Sequence, residues 1–319
     1  MEDVTDPAFR FIVAKYGKPD VTFTEFASAD GLCSVGRNRI KKDLHFSDIE
    51  RPIVAQIFGA TPEHFRQSAE LIVSLGFDGI DINMGCPDKA VVKQSAGSAL
   101  INNPKLAQEI IHQTKRGASG LPVSVKTRIG FNNIDVENWI PYLIEAQPAA
   151  LTIHGRTKKE MSKVPNHWDV IGQIADMATG SGIKIIGNGD ISSLDEAKEK
   201  AAQYHLDGIM IGRAAIGNPW FFQPGIQPTL ENKLGVIIEH ARTFDALLGD
   251  YRNFASTRKH IAAYLKGYNG VKELKVKLML TTNTEEVKQA IEEYINRSDK
   301  TLLSQRLDEQ SSTGDIIKV

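Results

Sequence analysis

Short apolar, β-branched runs alternating with longer amphipathic stretches most restrict what this chain can fold into. The runs are 21–25, 53–58, 79–82, 123–126, 150–154, 184–188 and 208–211. Between them, 61–75 opens on Thr61 with Pro62 at the first helical position, and 104–115 and 195–204 also carry helical spacing. Strands alternating with helices imply a parallel sheet covered on both faces. Seven runs are one short of a closed (β/α)8 barrel. The shortfall falls at the start. Segment 6–16 reads as a helix capped by Asp6 with Pro7 behind it, and too few residues precede it for a strand. The expected fold is therefore α/β, a (β/α)8 TIM barrel lacking most of its first strand.

After Phe222 the pattern changes. Pro224-Gly-Ile-Gln-Pro228 reads as a linker, and 230–248, 254–267, 271–280 and 284–295 read as helices. The expected domains are a catalytic barrel over 1–225, a small all-helical domain over 229–298, and a flexible polar tail over 299–319. A length of 319 residues suits a barrel of about 250 residues plus such an appendage. A hydrophobic content of 41% allows a full core.

Cys33 and Cys86 are too few for a disulfide scaffold and form no CxxC pair, so no metal site is expected and a reducing cytoplasm fits. There is no run of about 20 apolar residues for a membrane span. The acidic, polar start is unlike a signal peptide. The net charge of −1 means that any surface for a polyanion must be local.

Polar residues with chemical capacity gather at the C-terminal ends of the runs, where a β/α barrel carries its site. Cys86 lies in Asn83-Met-Gly-Cys-Pro87, a tight loop suited to aiming a thiol that can donate a proton. A buried structural cysteine is the plain alternative, and Cys33 is assigned to it. Lys126 ends one run, with Arg128 two residues on; His154 ends another; Gln56 lies near the end of a third. Each alone could be a satisfied or snorkelling side chain, but four converging on one barrel mouth point to a site. Gly187-Asn-Gly-Asp190 and Gly212-Arg213 follow the last two runs, where such barrels bind phosphate. A ligand with a phosphate and a flat ring, such as FMN, fits the set.

Between 252 and 277 seven basic residues (Arg252, Arg258, Lys259, Lys266, Lys272, Lys275, Lys277) accompany one acid, Glu273. At about 100° per residue, Arg252, Lys259 and Lys266 fall within roughly 20° of one line. An ordinary solvated face would read similarly, but a stripe without acids favours a polyanion.

Met1–Arg10, Thr24–Leu32, Asn83–Ile101, Ser124–Gly130, Thr152–Thr157, Gly187–Ile191, Gly208–Phe222 and Arg258–Gly267, in that order, resemble the tRNA-dihydrouridine synthase family, and NxGCP is its most specific element. The resemblance runs to about Thr282. It implies an FMN flavoprotein, reduced by NADPH or NADH, that adds hydride to C6 of a uridine in tRNA while the residue matching Cys86 protonates C5. It places Gln56, Lys126 and His154 at the flavin ring and counts Met1 among the cofactor-binding residues. It places Asn188, Gly189, Asp190, Gly212 and Arg213 at the ribityl phosphate. Asn83, Arg128 and Arg156 match positions facing the uridine, and Arg258, Lys259, His260 and Lys266 fall in the family's tRNA-binding domain. No obligate protein partner is implied, so a monomer is expected. Family members carry a strand ending in Ala-Pro before this point, of which only Met1 remains; a start codon chosen too far downstream is the expected cause. The competing readings are an FMN oxidoreductase acting on a free small molecule and a non-catalytic tRNA-binding protein. The basic stripe disfavours the first, and the complete polar set disfavours the second.

Overall fold

The computed structural model describes the backbone of residues 3–311 and the side chains of residues 3–297. The chain divides into two compact units, Met1–Ile226 and Gln227–Val319.

The first unit is a single curled sheet of seven parallel strands: β1 (Thr22–Ser28), β2 (Ile53–Phe58), β3 (Gly79–Met84), β4 (Val123–Arg128), β5 (Ala150–His154), β6 (Lys184–Asn188) and β7 (Gly208–Met210). Each pairs with the next, in sequence order throughout. This is the order of a β/α barrel. Among the described residues no strand joins β7 to β1, so the sheet is an open barrel short of one strand, as the run count implied. Helix Pro7–Tyr16 precedes β1, with the Asp6 carboxylate accepting the Phe9 N–H at 2.8 Å. Removing that cap by Asp6→Ala is expected to cost about 1 kcal/mol, read as a lower melting temperature.

From β3 to β6 successive side chains alternate between the two faces of the sheet, whereas β1 carries a register shift between Phe23 and Phe26. Ile80, Ile82, Met84, Val123, Val125, Leu151, Ile153 and Ile185 face outward into one core with Phe65, Ile72, Ile110, Trp139 and Ile171 from the surrounding helices. Burying each such aliphatic side chain contributes roughly 1.5–3 kcal/mol. Acids pin the opposite rim. Asp78, just before β3, accepts the Ile53 N–H (2.8 Å) and the Arg51 guanidinium (2.8 Å). Asp207, just before β7, does the same with the Ile185 N–H (2.9 Å) and Lys184 (2.8 Å). With its outer face apolar and its lower rim tied, the sheet leaves its concave face and upper rim for polar side chains.

Several helices escape the sequence pattern, two of them long. Val136–Glu145 contains Pro141, and Trp168–Met177 follows a loop with no cap hydrogen bond.

In the second unit, helix Leu230–Leu248 opens on a capping box between Thr229 and Asn232. The helix expected over 254–267 is instead a 3-10 turn, Phe254–Thr257, followed by the short helix Arg258–Tyr264. Local side chains divert it. Asn253 caps the Ala255 N–H at 2.8 Å, and the Ser256 and Thr257 hydroxyls donate to the carbonyls of Asn253 and Phe254. The straight-helix stripe is thereby broken: Arg252 precedes the turn and Lys266 follows the helix end. The last helix, Thr284–Ser311, runs well beyond the Ile295 expected of it, into the segment read as a flexible tail. No described helix is long and apolar enough to cross a membrane.

Candidate active site

Strand register sorts the concave face into rows. Gln56, Asp81 and Ser124 are paired across β2, β3 and β4. Asn83 pairs with Lys126 one row higher, and Arg128, His154 and Asn188 form the row at the upper rim. Side chains two apart on a strand share a face, so all of these residues address one concavity.

The lower row is a hydrogen-bonded chain. Ser124 donates to Asp81 Oδ1 at 2.5 Å, and Gln56 Nε2 donates to Asp81 Oδ2 at 2.7 Å. Asn83 Nδ2 donates to Gln56 Oε1 at 3.0 Å. Asn83 Oδ1 in turn accepts the backbone N–H groups of Gly85 (3.1 Å) and Cys86 (2.9 Å). The far side of the loop is held as well, since Ser98 N–H donates to the Cys86 carbonyl at 3.0 Å. Gly97 lies so close that a Cβ there would sit 2.9 Å from that carbonyl oxygen. Cys86, partly exposed, is thus carried on a loop fixed from both ends.

Cations surround this loop. Burial, with the charge of Arg128 beside it, pushes the Lys126 ammonium down to about 8, so it is charged at neutral pH but close to titrating. Burial likewise lowers Arg128 to about 10. The Arg128 guanidinium is occupied: Nε donates to the Gly85 carbonyl (2.7 Å) and Nη1 to that of Thr157 (3.2 Å). Burial, and then the charges of Lys126, Arg128, Arg156 and Arg213, hold His154 at about 2. Its ring is therefore neutral, a hydrogen-bonding group and not a cation.

At the other end of the mouth, Arg156 is buried. Its Nε donates to the Val164 carbonyl at 2.6 Å, its Nη2 pairs with Asp190, and its Nη1 has no partner among the described residues. Asp190 also pairs with the largely exposed Arg213. The two arginines hold the Asp190 carboxyl below its usual range, Arg156 most strongly. Asn188 Nδ2 donates to the Met210 carbonyl at 2.9 Å, tying β6 to β7. Gly189 has φ of +142°, and a Cβ there would strike Asn166 Oδ1 at 2.2 Å, so this loop requires glycine. Gly212 precedes the 3-10 turn Arg213–Ala215.

The first unit therefore brings together Gln56, Asn83, Cys86, Lys126, Arg128, His154, Arg156, Asn188, Gly189, Asp190, Gly212 and Arg213. Met1 lies outside the described residues. Of the two arginines matched above to positions facing a uridine, Arg128 commits Nε and Nη1 to the loop carbonyls of Gly85 and Thr157, and Arg156 commits Nε to the Val164 carbonyl and Nη2 to Asp190. In the second unit, Lys259 and Lys266 are exposed. Two expectations there need correction. His260 is fully buried, its ring 5.0 Å from that of His240, because it falls on the apolar face of its helix with Ile261 and Tyr264. Arg258 turns inward and donates to the Thr281 carbonyl at 3.1 Å. Lys277 is paired with Glu293 at 2.7 Å, which thins the basic surface further.

Sequence reasoning missed Asp81, Ser124 and Asn166, whose amide is buried between Gly155 and Gly189 with no partner among the described residues. It also missed the helix Arg37–Asp43, basic and without a buried residue. The signal for Asp81 was present: an acid in the middle of an apolar run, two residues before Asn83, must share the face of that residue.

The family model for dihydrouridine synthase (Dus) matches residues 1–300. A probable tRNA-dihydrouridine synthase of Staphylococcus aureus (strain MRSA252) is 40% identical over 306 residues, covering 94% of this chain and 93% of the relative. Probable tRNA-dihydrouridine synthase 2 of Bacillus subtilis (strain 168) is 38% identical over 305 residues, covering 92% of each. Among solved structures, morphinone reductase in complex with tetrahydroNAD aligns with a TM-score of 0.49 at 12% identity, over 72% of this chain and 84% of that one.

Proposed function

The chain belongs to the dihydrouridine synthase family, and from that premise we propose that it reduces the C5=C6 bond of uridines in tRNA, using FMN and NADPH or NADH, with Cys86 as the proton donor. The observation that carries this reading is the Cys86 loop, fixed by Asn83 and Ser98 on the same concave face as Gln56, Lys126 and His154.

The residues fit a flavin by the chemistry of their donors. Lys126 offers a half-buried cation to the electron-rich edge of a ring, and Gln56 and His154 offer neutral hydrogen bonds. Arg213 offers an exposed guanidinium to a phosphate beside the Gly189 loop, and Arg156 Nη1 awaits an acceptor. When bound there, a flavin reduced by a nicotinamide would supply hydride chemistry at C6 of the uracil.

Hydride addition at C6 leaves negative charge on C4–C5 that an acid must quench. Cys86 gives its Sγ proton to C5, so the ring gains two hydrogens, and the thiolate left behind takes a proton from solvent. Arg128 holds the carbonyl of Gly85, next to the thiol, and so keeps the donor aimed. A base within folded RNA must be drawn out to reach such a mouth.

Lys259 and Lys266 are the outward cations of the second unit that we assign to RNA phosphates. The pair Lys259→Glu and Lys266→Glu is expected to raise KM for tRNA and to reduce the salt slope of binding by about one per cation removed. The rate of flavin reduction by NADPH should not change. An unaltered tRNA affinity would favour an oxidoreductase acting on a free small molecule.

A further inference from the structure

We infer that Asp81 is a positioning residue of this site: its buried carboxylate sets the amide orientation of Gln56 and, through Asn83, the shape of the Cys86 loop. The inference rests on the reading of the concave face as a flavin site.

An ionised carboxylate only accepts hydrogen bonds, whereas a glutamine amide has one donating and one accepting end. Asp81 is fully buried and receives Gln56 Nε2 at 2.7 Å. That leaves Gln56 Oε1 turned to Asn83 Nδ2 at 3.0 Å. A flip of the Gln56 amide would oppose oxygen to oxygen at Asp81 and nitrogen to nitrogen at Asn83. With its Nδ2 committed, Asn83 must present Oδ1 to the N–H groups of Gly85 and Cys86. The polarity of the whole chain thus runs from one carboxylate to the proton-donor loop.

Ser124 closes the other end by donating to Asp81 Oδ1 at 2.5 Å. Burial raises the Asp81 carboxyl to about 6, opposed by Ser124, Gln56 and the charge of Lys126, so at neutral pH it is ionised and accepts only. What remains of Gln56, one N–H and one lone pair, would then be offered to a flavin edge with fixed identity. A buried charge has a high desolvation cost, and an orientation that apolar packing cannot specify is what it secures.

Two variants separate orientation from packing. In Asp81→Asn, the amide oxygen takes the place of the carboxylate oxygen that accepts from Gln56, while the Ser124 hydroxyl reverses and accepts from the new amide N–H, so the polarity survives. In Asp81→Leu no acceptor remains. Both proteins are checked for folding by circular dichroism melts, then titrated with FMN by quenching of flavin fluorescence and assayed on tRNA. Asp81→Asn is expected to bind FMN within about threefold of the parent, the size of a retained hydrogen bond of altered charge. Asp81→Leu is expected to weaken FMN by about tenfold or more, the loss of one hydrogen bond. It should also lower kcat for uridine reduction with KM for tRNA unchanged, because the loop and not the RNA surface is disturbed.

A folded Asp81→Leu with parental FMN affinity and kcat overturns the inference. So does an Asp81→Asn as damaged as the leucine variant, since the acceptor is retained there. If Asp81→Leu does not fold, Asp81→Ser, whose hydroxyl is too short to reach Gln56, is judged by the same two readouts. A parent protein that binds no FMN overturns the underlying site reading and the inference with it, whereas a parent that binds FMN beside an unaffected leucine variant overturns the inference alone.

Discussion

Replacing Cys86 by alanine is expected to slow uridine reduction by about 10²–10⁴-fold, the contribution typical of a positioned general acid. FMN binding and reduction by NADPH should be preserved. The separation follows from the geometry. The loop is held by backbone groups, Gly85 and Cys86 N–H to Asn83 and the Cys86 carbonyl to Ser98, so the thiol can go while the loop stays. Stopped-flow reduction by NADPH followed by reoxidation with unmodified tRNA resolves the two halves. Loss of bound flavin in Cys86→Ala would mean that the thiol is structural. Full tRNA turnover would mean that another group supplies the proton.

The second large effect is expected at Lys126. Removing one preorganised donor from a site that stabilises developing charge costs about 10²–10³-fold in rate. Lys126→Met should lose that much in kcat and bind FMN more weakly. The pH dependence has a defined sign. The ammonium carries its charge below about 8 and loses it above, because burial favours the neutral form. Affinity of the free protein for FMN is therefore expected to fall as pH rises through about 8, in a single ionisation that Lys126→Met abolishes. The same shift acts oppositely on the fold. The unfolded lysine holds its proton up to its usual 10.5, so between about 8 and 10.5 the unfolded chain binds more protons and this group makes the fold more stable as pH rises. Flavin affinity and melting temperature should thus move in opposite directions across that window.

The barrel was legible because its signal is repeated. Runs 53–58, 150–154 and 184–188 are strands to the residue, and 79–82 and 123–126 extend by two residues, since Met84 and Arg128 continue the ladder where the loop polarity suggested an end. Helix 254–267 was misread because periodicity counts apolar positions and ignores hydroxyls that bond their own backbone, as Ser256 and Thr257 do. Cys86, Lys126 and His154 were visible as polar residues at strand ends. Asp81 was not singled out: its place two residues before Asn83 put it on the same face, but its partners Gln56 and Ser124 are set beside it only by register. The partition of the basic segment was hidden for the same reason. Helical phase alone does not tell that Arg258 finds the Thr281 carbonyl or that His260 packs against His240.

The central claim is tested most directly by incubating the purified protein anaerobically with FMN, NADPH and a tRNA transcript free of modifications, then digesting the RNA and measuring 5,6-dihydrouridine by mass spectrometry. The account predicts that a uridine gains two hydrogens with the parent protein and remains unchanged with Cys86→Ala. A parent protein whose bound flavin is reduced by NADPH while every uridine stays intact would contradict it.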